Sequence, residues 1–254
     1  MKMRIMCKIM SCSFCMAVMA LFSSCKANRE AFPKLSVATQ HGESVIAILI
    51  NHGSLLFEFR GKEYYIDPVE VTKKCSYDAM PKADYVFITH KHFDHFNEGT
   101  IKKISTVETK VFVSENTPTN GIDNARVLAN GSNVALSDDV AVYAVPAYNT
   151  TQGRLHFHPK GEGNGYVFDF DGCRIYVSGD TEDVEEMSDL KGVDVAFIAV
   201  NQPYTMTPEQ CAKAGTTIAP KMLIPYHMGT TSKKDLMAVL SLMQGKVVFE
   251  ECLR

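Results

Sequence analysis

Three short apolar runs divided by turn residues open the patterned part of the chain. Val45–Ile50, Ser54–Phe59 and Glu63–Asp67 are rich in Ile, Leu, Phe and Tyr, and Asn51-His52-Gly53 and Arg60-Gly61-Lys62 stand between them. That alternation predicts three consecutive strands joined by tight turns. Pro68 has no N–H to give a ladder and ends the third strand just after Asp67. Asp84–Thr89 reads as the next strand, with β-branched and aromatic residues after Pro81. Residues 97–105 suit a short helix with Asn97 as its N-cap. Val111–Ser114, Val127–Leu128, Val134–Leu136 and Val140–Pro146 continue the strand pattern, with a turn-rich stretch at Asn116–Gly121.

Tyr148–Gly165 is polar and carries Gly at 153, 161, 163 and 165, so it is expected to be a loop at the rim of a site. The second half then repeats the style of the first. Tyr166–Phe170 and Arg174–Ser178 flank Asp171-Gly172 as a hairpin. Val193–Val200 and Met222–Pro225 are nearly all apolar, as in strands buried on both faces. Thr207-Pro208-Glu209-Gln210 opens a helix with a capping residue, a proline at the first helical position and an acid next. Ser232–Met243 reads as an amphipathic helix and Lys246–Phe249 as a last strand. Residues 44–254 are therefore expected to form one α/β domain.

The first 24 residues do not belong to that pattern. They carry Lys2, Arg4 and Lys8 and no acid, then an apolar run from about Ile9 to Phe22, then Ser23-Ser24-Cys25. This is the layout of an export signal, and the run is short for a membrane span. Leu21-Phe22-Ser23-Ser24-Cys25 resembles a bacterial lipobox, in which Cys25 becomes the lipidated first residue of the mature protein. The expectation is an exported cell-envelope lipoprotein, held at a membrane through Cys25, with residues 25–43 as a polar tether. Without the three cations of the signal, the whole-chain net charge of −3 becomes −6. That balance gives no reason to expect nucleic acid as a partner. Cys75, Cys173, Cys211 and Cys252 are scattered, with no C-x-x-C spacing and no zinc signature.

The candidate chemistry is concentrated in Thr89-His90-Lys91-His92-Phe93-Asp94-His95-Phe96. His90 and His92 stand two apart at the end of a strand and share a side of the backbone, while Asp94 and His95 follow in the turn. Imidazoles with a carboxylate suit zinc, iron or manganese. Asp67, Asp180 and His227 also end predicted strands. Each alone has an ordinary reading, Asp180 as a turn-former after Gly179 and His227 as a buried structural histidine. Together with the cluster they point to one site assembled from distant segments.

On Ile66-Asp67-Pro68, Thr89–His95, Ser178-Gly179-Asp180-Thr181 and Ile224-Pro225-Tyr226-His227, in that order, the chain resembles the metallo-beta-lactamase superfamily. His52-Gly53-Ser54-Leu55-Leu56-Phe57-Glu58, Gly165–Phe170 and Gly192–Ala196 are similar to the beta-lactamase-like group that includes ascorbate-6-phosphate lactonases and N-acyl-phosphatidylethanolamine phospholipase D. The resemblance implies an αβ/βα four-layer sandwich with two divalent metal ions, zinc first and manganese or iron as alternatives. It implies His90 and His92 at the first metal, Asp94, His95 and His227 at the second, Asp180 bridging, and Asp67 orienting a ligand histidine through its other nitrogen. Asp94 and Asp180 are the catalytic carboxylates it implies.

One departure stands out. Many members carry a Gly-His segment after the central strand, whereas Val145-Pro146-Ala147-Tyr148-Asn149-Thr150 has no His. His158 is the expected replacement, with His156, Asn149 or an incomplete first site as alternatives. The expected activity is hydrolysis by a metal-bound hydroxide, acting on a phosphodiester, lactone or other ester of a small or lipid-like molecule. Tyr204, Tyr226, Asn201 and Lys160 are candidates for contacts with such a substrate. The competing expectations are a lipid-anchored metal-binding protein without turnover and an oxygen-using member with iron.

Overall fold

A computed structural model describes residue 29 and residues 31–70, 76–241, 243 and 245–254. The signal segment and Cys25 lie outside the described residues. The first seven strands are β1 (Lys34–Ala38), β2 (Ser44–Asn51), β3 (Ser54–Phe59), β4 (Lys62–Ile66), β5 (Tyr85–Ile88), β6 (Lys110–Val113) and β7 (Ala125–Val127), with α1 (Glu98–Ile104) between β5 and β6. The next seven are β8 (Asn133–Ser137), β9 (Val140–Ala147), β10 (Gly163–Phe170), β11 (Cys173–Val177), β12 (Val195–Ala199), β13 (Met222–Tyr226) and β14 (Lys246–Val247). Helix α2 (Pro208–Ile218) precedes β13 and α3 (Lys233–Leu240) follows it. Each set of seven is one sheet in chain order, antiparallel at its start and parallel from β4 to β7 and from β11 to β14.

The two sheets pack face to face with helices outside, an αβ/βα sandwich. Strand β2 shows why. Val45, Ala47 and Leu49 point into the core between the sheets, and Ile48 and Ile50 point the other way, into a second core with Ile101 and Ile104 of α1. A strand buried on both faces loses the polar alternation of a solvated one, which is the pattern its sequence carries. Across the sandwich, Phe57 meets Phe168 edge-on at 5.2 Å and Phe87 meets the same ring at 5.0 Å. Truncating Phe168 to Ala at this junction is expected to cost about 3–5 kcal/mol.

The helices begin where the capping chemistry puts them. Asn97 accepts from the Thr100 N–H at 2.8 Å at the start of α1. Thr207 and Gln210 form a reciprocal capping box on α2 with Pro208 inside it. Helix α3 stops at Leu240, earlier than its apolar pattern suggested; Met243 turns back onto Gly215 of α2, where a Cβ would lie 2.3 Å from its Cε.

Two expectations change. Lys34–Ala38, within the stretch read as a tether, is an outer strand paired with β2 from Lys34–Ile48 to Ala38–Ser44. Gly163 and Gly165, read as loop, lie in β10. A Cβ on Gly165 would lie 2.9 Å from the Ser178 carbonyl, so this glycine lets neighbouring backbone approach rather than marking a turn. No helix among the described residues is long and apolar enough to cross a membrane.

Candidate metal centre

The carboxyl ends of β4 and β5 in one sheet and of β11, β12 and β13 in the other deliver Asp67, the Thr89–Phe96 loop, Asp180, Asn201 and His227. In that loop the N–H groups of His95 and Phe96 both bond to the His92 carbonyl, at 3.0 and 2.8 Å. The tight turn brings His92, Asp94 and His95 round one point.

Behind them Asp67 sits fully buried. Its Oδ1 accepts from the Thr89 N–H at 2.7 Å, and its Oδ2 accepts from the Thr89 hydroxyl at 2.6 Å and from His95 Nδ1 at 2.7 Å. An ionised carboxylate can only accept, so His95 carries its proton on Nδ1 and turns the Nε2 lone pair forward. The Thr89 hydroxyl gives its proton to Asp67 and is left to accept from His90 Nδ1, 3.0 Å away. That sets His90 in the same tautomer. One Asp–Thr pair therefore aims two histidines.

His158 reaches the site from the loop before β10. Its Nδ1 donates to the Tyr204 carbonyl at 3.1 Å, which leaves Nε2 facing Asp180 Oδ2 at 3.2 Å. Asp180 presents one oxygen to each side: Oδ2 lies 3.9 Å from His90 Nε2, and Oδ1 lies 3.4 Å from His95 Nε2 and 3.6 Å from His227 Nε2. Asp94 Oδ2 lies 3.4 Å from His227 Nε2 and 3.6 Å from His52 Nε2.

Among the described residues, three sets of donor atoms lie mutually within 4.8 Å: His90, His92 and His158; His90, His95 and Asp180; and His52, Asp94 and His227. His95 Nε2, His158 Nε2 and Asp180 Oδ1 are buried with no hydrogen-bond partner. Leaving such groups unpaired is costly. Their lone pairs, with His90 Nε2 and His92 Nδ1 only 3.0 Å apart, converge as they would on a cation. The donor set fits a divalent metal.

The charges agree with this reading. Burial opposes the Asp180 carboxylate, yet His227, His95, His158 and His90 together hold it well below the usual carboxylate range. Burial also opposes Asp94, and hydrogen bonds from His227 and His52 keep it low. Burial lowers His90, His92 and His227. His95 goes the other way: burial lowers it, but Asp180, Asp67 and Asp94 outweigh that and push it up to about 9, so a metal at Nε2 would take the place of a proton.

The structure thus brings together His90, His92, Asp94, His95, His158, Asp180 and His227, with Asp67 behind them. His156 is exposed, its ring 4.1 Å from Phe157, and is outside the cluster. Asn149 turns its amide to the Arg154 and Tyr204 carbonyls and holds the loop instead. Tyr226 is buried in the core, and Lys160 is engaged by Tyr148 and Glu186, each at 3.0 Å. His52 is the residue that sequence reasoning passed over. It reads as a turn residue between two strands, and it has the positive φ of one, 47°; the same turn lays its ring 3.8 Å from that of His227.

These groups open into a pocket of about 350 Å³ lined by His92, Phe93, Asp94, Phe157, Asn201 and Tyr204 among others. The profile of the beta-lactamase superfamily domain matches residues 49–227, a span that starts just before His52 and ends on His227. The chain belongs to that superfamily. It is 30% identical over 197 residues to a UPF0173 metal-dependent hydrolase of Pyrobaculum arsenaticum, a match covering 70% of this chain and 82% of the relative. It is 28% identical over 193 residues to the corresponding protein of Caldivirga maquilingensis, covering 71% and 81%. A solved structure from Parabacteroides distasonis, of a protein named as a metal-dependent hydrolase, superposes with a TM-score of 0.82 at 40% identity, covering 87% of this chain and 99% of that one. The protein is a metal-dependent hydrolase of the metallo-beta-lactamase superfamily.

Proposed function

We propose that this metallo-hydrolase cleaves an ester-type bond, in a phosphodiester, a lactone or another ester, at a two-metal centre. His90, His92 and His158 would hold the first ion, Asp94, His95 and His227 the second, and Asp180 would reach both. His52 adds a donor on the second side. The observation that carries the reading is the set of buried, unpartnered donor atoms on His95, His158 and Asp180, aimed at one space from three segments. Zinc suits these nitrogen and carboxylate donors, and manganese and iron accept them too.

A divalent pair in such a site supplies an acidified water and polarises the oxygen of the bond under attack. The chain's own residues do the rest. Asp67 and Thr89 fix the direction of the His95 and His90 lone pairs. Asp94 and Asp180, both held as anions, keep negative charge at the floor of the pocket. The Asn201 side chain, which lines the pocket and stands 3.5 Å from His227 Nδ1, is placed to hold a substrate oxygen.

Export and lipidation at Cys25 are part of the same proposal and rest on the N-terminal sequence alone. The test is metal content and ester turnover of the purified chain beside Asp180→Asn and His158→Ala. Two ions in the parent, one in His158→Ala, and turnover lost in Asp180→Asn are the expected results. Metal without turnover on a panel of carboxyl esters, lactones and phosphodiesters would leave the binding-protein reading in its place.

A further inference from the structure

Phe93 sits between His92 and Asp94, in the middle of the ligand loop, and is 86% exposed. A single exposed phenylalanine is ordinary on a protein surface. This one borders the pocket, and it is not alone there. Tyr204 is 46% exposed, and Phe157 packs edge-on against it at 5.0 Å. Three aromatic rings from three separate loops thus line the same opening.

The second observation is charge. Among the described residues, the lining of this pocket includes no Lys or Arg. The cations on the neighbouring loops are engaged elsewhere: Lys91 with Glu162 at 3.1 Å, Arg154 with buried Glu182 at 2.7 Å, and Lys160 with Glu186 at 3.0 Å. At the floor of the pocket the two divalent ions would offset Asp94 and Asp180 and take the oxygens of the reacting group, neutral or charged, so the lack of side-chain cations bears on the rest of the substrate: a charged arm would find no partner there. An apolar group would meet Phe93, Phe157 and Tyr204, and burying it there removes both surfaces from water.

We propose that the substrate carries an uncharged, apolar arm beside the bond that is cleaved, and that Phe93, Phe157 and Tyr204 receive that arm. This rests on the hydrolase reading and deepens it by naming the chemistry of the group beside the reacting bond. Phe93 and Tyr204 then act as specificity residues: they select by contact with the arm and take no part in bond cleavage.

The experiment separates binding from turnover. Octanoate, the acid released from an octanoyl ester, and acetate, its short counterpart, are titrated into the zinc-loaded chain. The parent is expected to bind octanoate at least about tenfold more tightly than acetate, the added methylenes being buried. Phe93→Ser with Tyr204→Ser is expected to bring the two acids close together while zinc content stays at the parent value. Equal binding of the two acids in the parent, or a preference that survives the double variant, would overturn the inference. Absence of turnover on every substrate would strike the hydrolase reading only, and the octanoate titration would still decide this one.

Discussion

The partly exposed Arg154 pairs with fully buried Glu182, Nη2 to Oε1 at 2.7 Å. Glu182 lies two residues past Asp180, and its other oxygen accepts from the N–H groups of Thr150 and Thr151 at 2.8 and 2.7 Å. Arg154 also donates to the Gln202 side chain at 2.9 Å and to the Thr205 carbonyl at 3.3 Å. One guanidinium thus ties the loop that carries His158 to the Asp180 turn and to the loop that carries Tyr204, whose carbonyl fixes the His158 ring. This tie holds in place a histidine donor that comes from a loop and not from a strand end.

Arg154→Met should therefore disturb the site without touching a donor atom. It leaves buried Glu182 without its counter-charge, with only the Thr150 and Thr151 bonds to hold it, at a cost of about 1.5–3 kcal/mol. First-side metal affinity should fall by about 10- to 100-fold, as for other residues that orient ligands. Urea unfolding and zinc competition with a chelator measure the two effects. Unchanged zinc affinity in the folded variant would mean that the loop keeps its place without the ion pair.

The Asp67–Thr89 pair makes a second prediction. Asp67→Asn keeps the shape but turns an N–H₂ group toward either the Thr89 N–H or the His95 Nδ1–H, both of which need an acceptor. The His95 tautomer is then no longer set, and zinc affinity is expected to drop by about 10- to 100-fold. Thr89→Val should act on His90 through the lost hydroxyl acceptor and spare the Asp67–His95 bond. A chelator titration that ranks both variants with the parent would rule out this account.

What was legible in the sequence follows from the range of the interactions. The alternation in β2 and β3, the Asn97 and Thr207 caps and the apolar β12 are local, so their strands and helices could be read directly. The dense His90–His95 stretch stood out for the same reason, and Asp67, Asp180 and His227 could be found because each ends a strand. Strand β1 was not legible, because Lys34–Ala38 is a strand only through its pairing with β2. Arg154 and Glu182 carry no periodic signal, and their pairing depends on how two loops fold over each other. His52 was hidden by a turn reading that is itself correct: the positive φ that suits the hairpin is also what lays its ring on His227.

Gly179→Ala tests the turn that presents Asp180. Gly179 has φ +61°, and a Cβ there would lie 2.5 Å from the Asn164 carbonyl oxygen. Asn164 is itself fixed, its N–H bonded to the Thr89 carbonyl at 2.8 Å, so the backbone has little room to yield. The strain and the clash together should cost about 3 kcal/mol. That corresponds to a loss of roughly 6–12 °C in Tm for a domain of this size. A thermal melt within a degree or two of the parent would show that the turn can relax.

Glu63 gives the pH dependence. Its carboxyl is pushed up to about 7, burial being the largest cause, with Glu58 and Asp84 adding to it and Arg29 opposing. The folded state therefore holds a proton here over a range where the unfolded chain, with an ordinary glutamate near 4.5, has released it. The stability tied to that proton is fully present below about pH 4.5 and is lost as the pH rises through about 7. By linkage the difference is on the order of 3 kcal/mol. Glu63→Gln keeps a hydrogen-bonding group that cannot ionise, so it should flatten the stability profile between pH 5 and pH 7, as set by the two pKa values, and stabilise the protein above that window. Loss of the Glu63–Arg29 contact, 3.0 Å in the parent, works against this gain but does not create a slope in that range. Urea unfolding of parent and variant across the window decides it: parallel profiles would mean that Glu63 titrates alike in the folded and unfolded chains, and that burial does not govern its proton.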